Sequence, residues 1–440
     1  MRIGLIFLFF AVFILLISCD TQNSFKAPDE NYFLKYFGNQ GNQQGVDFIV
    51  NTDGSVILIG NSRATPISDQ QIYVAKADAK GVIIWEKIFG GEFEDEAKDI
   101  ELLPDGNVLV LANTSNNDFK DEVNRERDVL LIKLAQDGSR LDSVKQGLTS
   151  DPFNVIGTPT DEDASSISII SDGFIVAGSK ALVPKPLVNR SGFMHMRFRN
   201  DLTWVADIAG LWDTEPVFPL AGESKTIRVL QSGTAFYMMG YANDNFRTAT
   251  PVTSDFNFVI YGVGPTAGSL GRIYIGDNLF NEKLTNVSVV PSELGGGYLL
   301  TGTSKSLDNS KGDAYLLRLS GTILWDQFNT SNFFLPPFRL GLENPQVKST
   351  SGYSTLFNYL ITSEKKAIGG SNDISLTSRS VNGDLLFERS FGGIGEDYSG
   401  PVRELSDGRI MMIGTMTLGG IDGQTKIALI KLNSEGRLAP

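Results

Sequence analysis

The chain has 440 residues and carries 51 Asp and Glu against 38 Lys and Arg, a formal charge of −13. An acidic surface repels phosphate backbones, which argues against nucleic acid as a partner. One cysteine, Cys19, rules out an internal disulfide, and one histidine, His195, argues against a histidine-ligated metal centre or a Ser-His-Asp triad.

Reading from the amino terminus, Arg2 precedes an unbroken apolar run from Ile3 to Ile17, then Ser18 and Cys19. A basic start, an apolar stretch and a small residue describe a secretory signal. The run is shorter than the roughly 20 residues of a spanning helix. The break Leu16-Ile17-Ser18-Cys19 resembles the lipobox of bacterial lipoproteins. That resemblance implies cleavage before Cys19, diacylation of its sulfur and acylation of the new amino terminus. The competing reading is an ordinary signal peptide or an uncleaved anchor with a chance cysteine. The expected organisation is a signal peptide over 1–18, a polar lipidated tether over 19–31 and one folded domain over 32–440.

Beyond the tether the chain repeats. Trp85-Glu86-Lys87-Ile88-Phe89-Gly90-Gly91 is followed by Asp95-Glu96 and then Asp105-Gly106; Phe387-Glu388-Arg389-Ser390-Phe391-Gly392-Gly393 is followed by Glu396-Asp397 and then Asp407-Gly408. After each such turn comes a short apolar strand: Ser55 to Gly60, Asn107 to Ala112, Phe174 to Gly178, Tyr298 to Gly302 and Arg409 to Gly414. A second strand follows a loop, at Ile72 to Lys76, Val129 to Leu134, Ala314 to Leu319 and Ile427 to Leu432. A third carries Trp85, Trp204, Trp325 or Phe387, and a fourth spans Lys98 to Leu103, Ser165 to Ile170, Lys225 to Leu230 or Asn286 to Val290. Near-continuous apolar runs of this length, rich in β-branched residues and bounded by Asp-Gly, read as strands covered on both faces.

Four short strands per unit, repeated radially, predict an all-β protein, a β-propeller of four-stranded blades. A β-sandwich or solenoid is the competing architecture. Unit starts fall at Asp53, Asp105, Asp172, Ser232, Gly295, Gly352 and Asp407. The last has room for only two strands, and Tyr32 to Gly38 with Gly45 to Val50 supply a third and a fourth at the other end. The expectation is seven blades, the closing one shared equally between the chain ends; six or eight blades are the alternatives. The sequence resembles a bacterial family of extracytoplasmic propeller repeats of the type DGG, YLIKL, G, W-x-K-x-[FY]GG. The match is clear in units one, two, five and the closing pair. Many members are surface lipoproteins of Bacteroidota-like bacteria, which implies fold and location but no activity.

The acidic clusters Glu92 to Glu96, Asp161 to Asp163 and Glu396-Asp397 all precede a fourth strand. Calcium is the one cofactor they could hold; recurrence at one repeat position favours carboxylates that accept backbone N–H groups in a turn. No catalytic or metal-ligating residue is assigned, and His195 reads as a packed strand residue. Insertions at Pro184 to Pro186, Leu211 to Pro219, Asn243 to Ser254 and Ser331 to Phe338 interrupt the repeat. Their aromatics Trp212, Phe218, Phe333, Phe334 and Phe338 are the candidate binding-loop residues; packing over the channel mouth is the competing role.

The preferred function is a non-enzymatic protein-binding or assembly scaffold, held by its lipid at the outer membrane with the surface-exposed side favoured. The expected partner is an outer-membrane or secretion-complex protein, with a glycan second. The competing class is a glycan-binding or carbohydrate-active propeller enzyme, which predicts converging carboxylates and aromatic walls at the ring axis. A purely structural spacer is the third class and predicts no aromatic patch on any face.

Overall fold

The computed structural model describes residues 31–439 apart from 116–126, 148–160, 182–190, 206–222, 233–234, 244–254, 265–268, 278, 291, 293–295, 309, 321–332, 342–348, 355–357 and 420–422. The described residues form strands and no α-helix. β1 (Phe33–Phe37) comes first. Blade 1 is β2 (Asn42–Val50), β3 (Val56–Arg63), β4 (Gln71–Ala77) and β5 (Ile83–Phe89). Blade 2 is β6 (Asp95–Leu102), β7 (Val108–Thr114), β8 (Asp128–Leu134) and β9 (Arg140–Gln146). Blade 3 is β10 (Glu162–Ile170), β11 (Gly173–Ala181) and β12 (Ser191–Phe198). Blade 4 is β13 (Ser224–Ser232), β14 (Ala235–Ala242), β15 (Asn257–Val263) and β16 (Ser269–Ile275). Blade 5 is β17 (Phe280–Val289), β18 (Tyr298–Ser306), β19 (Gly312–Leu319) and β20 (Phe333–Arg339). Blade 6 is β21 (Ser349–Ser354), β22 (Asn358–Lys366), β23 (Asn372–Arg379) and β24 (Leu385–Phe391). β25 (Tyr398–Glu404), β26 (Ile410–Leu418) and β27 (Gln424–Leu432) form the closing blade with β1.

Every pairing within the blades is antiparallel, and the first strands β2, β6, β10, β13, β17, β21 and β25 touch in cyclic order. The protein is a seven-bladed β-propeller. In blade 3 Trp204 makes only an isolated bridge to Phe198, so three strands are seen there among the described residues. Trp325 lies outside the described residues.

The core follows the seams rather than the blades. Seven clusters of buried apolar residues are seen, and each joins two neighbouring blades. One of them packs Phe33 and Phe37 of β1 with Phe48, Leu58 and Tyr73 of blade 1 and Met411 and Leu429 of the closing blade. Second and third strands are therefore covered on both faces, which is why β3 and β7 read as continuous apolar runs.

Two glycine positions show why the repeat is spelled as it is. A Cβ at Gly178, Gly240 or Gly302 would collide with the carbonyl oxygen of Asp163, Lys225 or Lys283 on the adjoining inner strand. A Cβ at Gly90 or Gly392 would collide with Gln71 and Asp95, or with Asp373 and Asp397. The glycine that ends the apolar strand and the first glycine of Phe-Gly-Gly thus leave room for the neighbouring strand or blade.

The ring closes differently from the expectation of two strands from each end. Only β1 joins the three carboxy-terminal strands, pairing Phe33 with Lys431 and Phe37 with Ile427. Gly45 to Val50 belongs to β2, the inner strand of blade 1. The cause is an offset: the Asp-Gly turn that starts each sequence unit lies between the first and second strands of a blade, so each unit's fourth strand opens the next blade.

Antiparallel order also sorts the loops onto two faces. Turns after first and third strands, including Asp53-Gly54, Asp105-Gly106, Gly383 and Gly436, lie on one, the turn face. Loops after second and fourth strands lie on the other, the crossover face. β1 starts beside the end of β27, so the chain enters from the turn face. There Arg409 Nη1 donates to the Asn31 carbonyl at 3.2 Å.

Candidate functional site

The inner strands enclose an axial cavity of about 1040 Å³, lined by residues of all seven blades. Six of these strands carry a β-bulge at the same height, at Gly45/Asp47, Ala97/Asp99, Ala164/Ser166, Thr226/Arg228, Leu284/Asn286 and Ser399/Val402. A bulge breaks the alternation of a strand and re-aims its side chains. Asp47, Asp99, Ser166, Arg228 and Asn286 therefore form one polar tier around the axis.

The tier is tied together across blades. Asp47 Oδ1 accepts from the Phe48 amide at 2.7 Å and from Arg403 Nη2 of the closing blade at 3.0 Å. The Arg403 guanidinium also lies 4.8 Å from the Phe48 ring centroid. Asp99 accepts the Ile100 amide at 2.9 Å and, across the seam to blade 3, the Ile167 amide at 2.6 Å. Burial pushes the Asp99 carboxyl well up, and the nearby charges of Asp47 and Glu101 add to it. A side-chain hydrogen bond with Asp47 raises the Asp99 carboxyl further. Burial also raises Glu101, against the pull of Arg228, whose Nη2 stands 3.4 Å from Glu101 Oε1.

A second cluster sits beside it. Asp163 accepts from Lys225, from Lys98 at 3.0 Å and from Asn113 Nδ2 at 2.9 Å, with Arg127 at 3.4 Å. Burial works against its charge, yet the two ammonium groups hold its carboxyl well below the usual range. Six basic and five acidic side chains line the cavity, so the axis is charge-balanced in a chain of −13. Tyr241 is its only aromatic among the described residues.

The expectation for an axial enzyme site thus splits. Carboxylates do converge, at Asp47, Asp99 and Glu101, but they meet arginines instead of an aromatic wall. Sequence reading missed this tier. Its signal is a polar residue directly before an apolar one in an otherwise covered strand: Val46-Asp47-Phe48, Lys98-Asp99-Ile100 and Ile227-Arg228-Val229.

The acidic residues singled out by the repeat do other work. Asp95 Oδ2 accepts the Gly91 amide at 2.7 Å, and Asp397 accepts the Gly393 amide at 3.0 Å and the Thr417 amide at 2.7 Å. They satisfy backbone N–H groups at the blade seams, as recurrence implied. Among the described residues no three His, Cys, Asp or Glu side chains converge to hold a metal ion. His195 is a buried residue of β12 opposite Ala177.

The candidate residues Cys19, Trp212 and Phe218 lie outside the described residues, as do Pro184 to Pro186, Leu211 to Pro219 and residues 244–254. Phe333 and Phe334 belong to the backbone of β20. Phe338 corrects the loop reading of Ser331 to Phe338: it is a strand residue paired with Leu316, packed on the cluster of Leu299, Leu316 and Tyr359. Proline at two successive positions hid a strand that the edge of a sheet tolerates.

The sequence matches no protein-family model and no curated protein. Among solved structures, polysaccharide lyase Uly1 is similar at a TM-score of 0.52 with 10% identity, over 94% of this chain and 94% of that one. A protein of unknown function from Dyadobacter fermentans aligns at 0.44 and 10% identity, over 91% of this chain and 97% of that one. YCF48 bound to D1 peptide aligns at 0.44 and 9%, over 92% and 95%. These likenesses concern the propeller fold, which hosts enzymes and binding proteins alike.

Proposed function

We propose that the protein is an exported, lipid-anchored binding module that assembles with another protein at the bacterial outer membrane or cell surface, without catalysis of its own. One observation carries this reading. Ile67, Leu279, Leu307, Ile368 and Ile394 are exposed loop residues, and all lie on the crossover face, opposite the face by which the chain enters. Large aliphatic side chains on loop tips of a rigid scaffold lose water without cost elsewhere when a partner covers them. The anchor at Cys19 is supported by the sequence of residues 1–19.

Photo-crosslinking tests it. A crosslinker at Ile368 of the lipidated protein, at native expression, should capture one protein partner, and Ile67→Asp with Ile394→Asp should abolish capture while the melting temperature holds. A crosslinker at Arg437 on the turn face is the control. Capture at Arg437 but not Ile368, or the lipoprotein alone at both, refutes an assembly role at this face.

The second reading is a glycan-binding or carbohydrate-active propeller. It is favoured by the convergence of Asp47, Asp99 and Glu101 on the cavity. It predicts that acidic or neutral polysaccharides shift the melting temperature of the wild type and not of Asp99→Asn.

A further inference from the structure

We infer that the rim formed by blade 6, the closing blade and blade 1 rests on a lipid bilayer, with the turn face toward the membrane; this rests on the lipid-anchor reading above. The outer strands of blades 1 and 6 begin with paired aliphatic residues, Ile83-Ile84 and Leu385-Leu386, which stand between 44% and 56% exposed. Each pair directly follows a turn-face turn, at Gly81 and at Gly383. At the matching place in blade 2, Leu141 is exposed but its neighbour is Arg140. Among the described residues, the blades that bear such pairs flank the closing blade, the one through which the chain enters.

The place of entry selects the occupant. Asn31 is held to Arg409 on the turn face, and Leu438, also exposed, lies at the end of the chain on that face. Cys19 is twelve positions before Asn31. A relaxed chain of that length spans about 20 Å. That is less than the disc thickness of about 25 Å set by seven- and eight-residue strands. Acyl chains on Cys19 therefore bring the turn face of these three blades to the bilayer before the crossover face. The turn-side charges of these blades nearly cancel, Lys35, Lys80, Arg409 and Arg437 against Asp53, Asp78, Asp384, Asp407 and Glu435, in a chain that is acidic overall. Exposed aliphatics beside an anchor enter the boundary of headgroups and acyl chains to a depth of about 5–10 Å.

The test uses the full-length lipidated protein on phosphatidylethanolamine–phosphatidylglycerol vesicles with brominated acyl chains. Leu386→Cys and, separately, Ile368→Cys are labelled with an environment-sensitive fluorophore. The label at position 386 should shift to the blue and lose most of its emission to the brominated chains, while that at 368 keeps its aqueous spectrum. Ile84→Cys repeats the measurement should Leu386→Cys melt early. Quenching at 368, or at neither face, overturns the proposal. A blue shift at 386 without vesicles also overturns it, because a second copy of the chain then covers the rim. Intact mass and flotation separate this from the anchor: protein with no acyl mass at Cys19 refutes the anchor, whereas acylated, floating protein with position 386 unquenched refutes only the resting rim.

Discussion

Glu282 gives the propeller a measurable pH dependence. Its carboxylate is fully buried at the seam between blades 4 and 5, where it accepts from Ser304 Oγ at 2.9 Å and from Arg339 Nη2 at 3.0 Å. Burial pushes its carboxyl from 4.5 up to about 7, with Asp277 adding to the rise and Arg339 and Ser304 opposing it. The folded state thus binds a proton that the unfolded chain releases. Between pH 4.5 and 7 the folded protein carries more protons, so stability falls as pH rises through that window and is flat on either side. At 1.36 kcal/mol for each factor of ten, the loss is about 3 kcal/mol. Urea unfolding of the wild type and Glu282→Gln at pH 5, 6, 7 and 8 measures it, because the neutral amide keeps the acceptor for Ser304 and Arg339 but cannot ionise. The wild type should lose about 2.5 kcal/mol more than the variant from pH 5 to 8, nearly all of it by pH 7.5. Asp99, Asp373 and Asp397 are also raised, and their contribution cancels in the difference. Parallel curves for the two proteins would refute the reasoning.

Gly302→Ala should destabilise by about 2–3 kcal/mol, because the new methyl meets the Lys283 carbonyl and the Phe258 ring. Gly393→Ala, whose Cβ meets open space, should stay within about 0.5 kcal/mol; equal effects in thermal melts would show that the seam does not select glycine. Arg403→Met leaves Asp47 without its ion pair and should cost about 2 kcal/mol, below the range for a fully buried pair because Arg403 is partly exposed. Adding Asp47→Asn should restore part of that loss, and a double-mutant cycle without coupling would contradict the tier as drawn.

The fold was legible because punctuation and covering agree. Asp-Gly at Asp53, Asp105 and Asp407 sets a turn whose glycine needs positive φ, and Gly54, Gly106 and Gly408 have φ near 80°. The apolar runs between them match strands buried on both faces, such as Val56–Arg63 and Gly312–Leu319. The closing blade was only half legible. Sequence units are counted from the most recognisable signal, the turn, whereas blades are bounded by the crossing from outer to inner strand, which after β5 and β24 is only a short loop opening on Gly-Gly. The axial tier was illegible for a different reason. A bulge places Val46 and Asp47 against one partner residue, so a period of two fails where the charged side chains enter the cavity. The seam acids were the reverse case: Asp95 and Asp397 recur at one repeat position because every seam has the same amides to satisfy.

The placement of the core explains why charge gathers at the axis. Each apolar cluster joins two adjacent blades, and none crosses the ring. The axis therefore takes charged groups set among apolar residues such as Ile227, Leu284 and Val287, and these charges neutralise one another because such neighbours offer them no partner. Arg403 to Asp47, Asp47 to Asp99 and Asp99 to the Ile167 amide link the closing blade to blades 1, 2 and 3. The same arrangement sets how the proposed membrane tether would act on the ring. A pull on the chain before Asn31 reaches β1, which is paired to β27 along its whole length and buries Phe33 and Phe37 against blade 1. Separating β1 from the ring would break a sheet and a seam together. On the proposed anchoring the load enters a junction that is at once sheet and seam, and the crossover face, which takes no part in it, is left for the proposed partner.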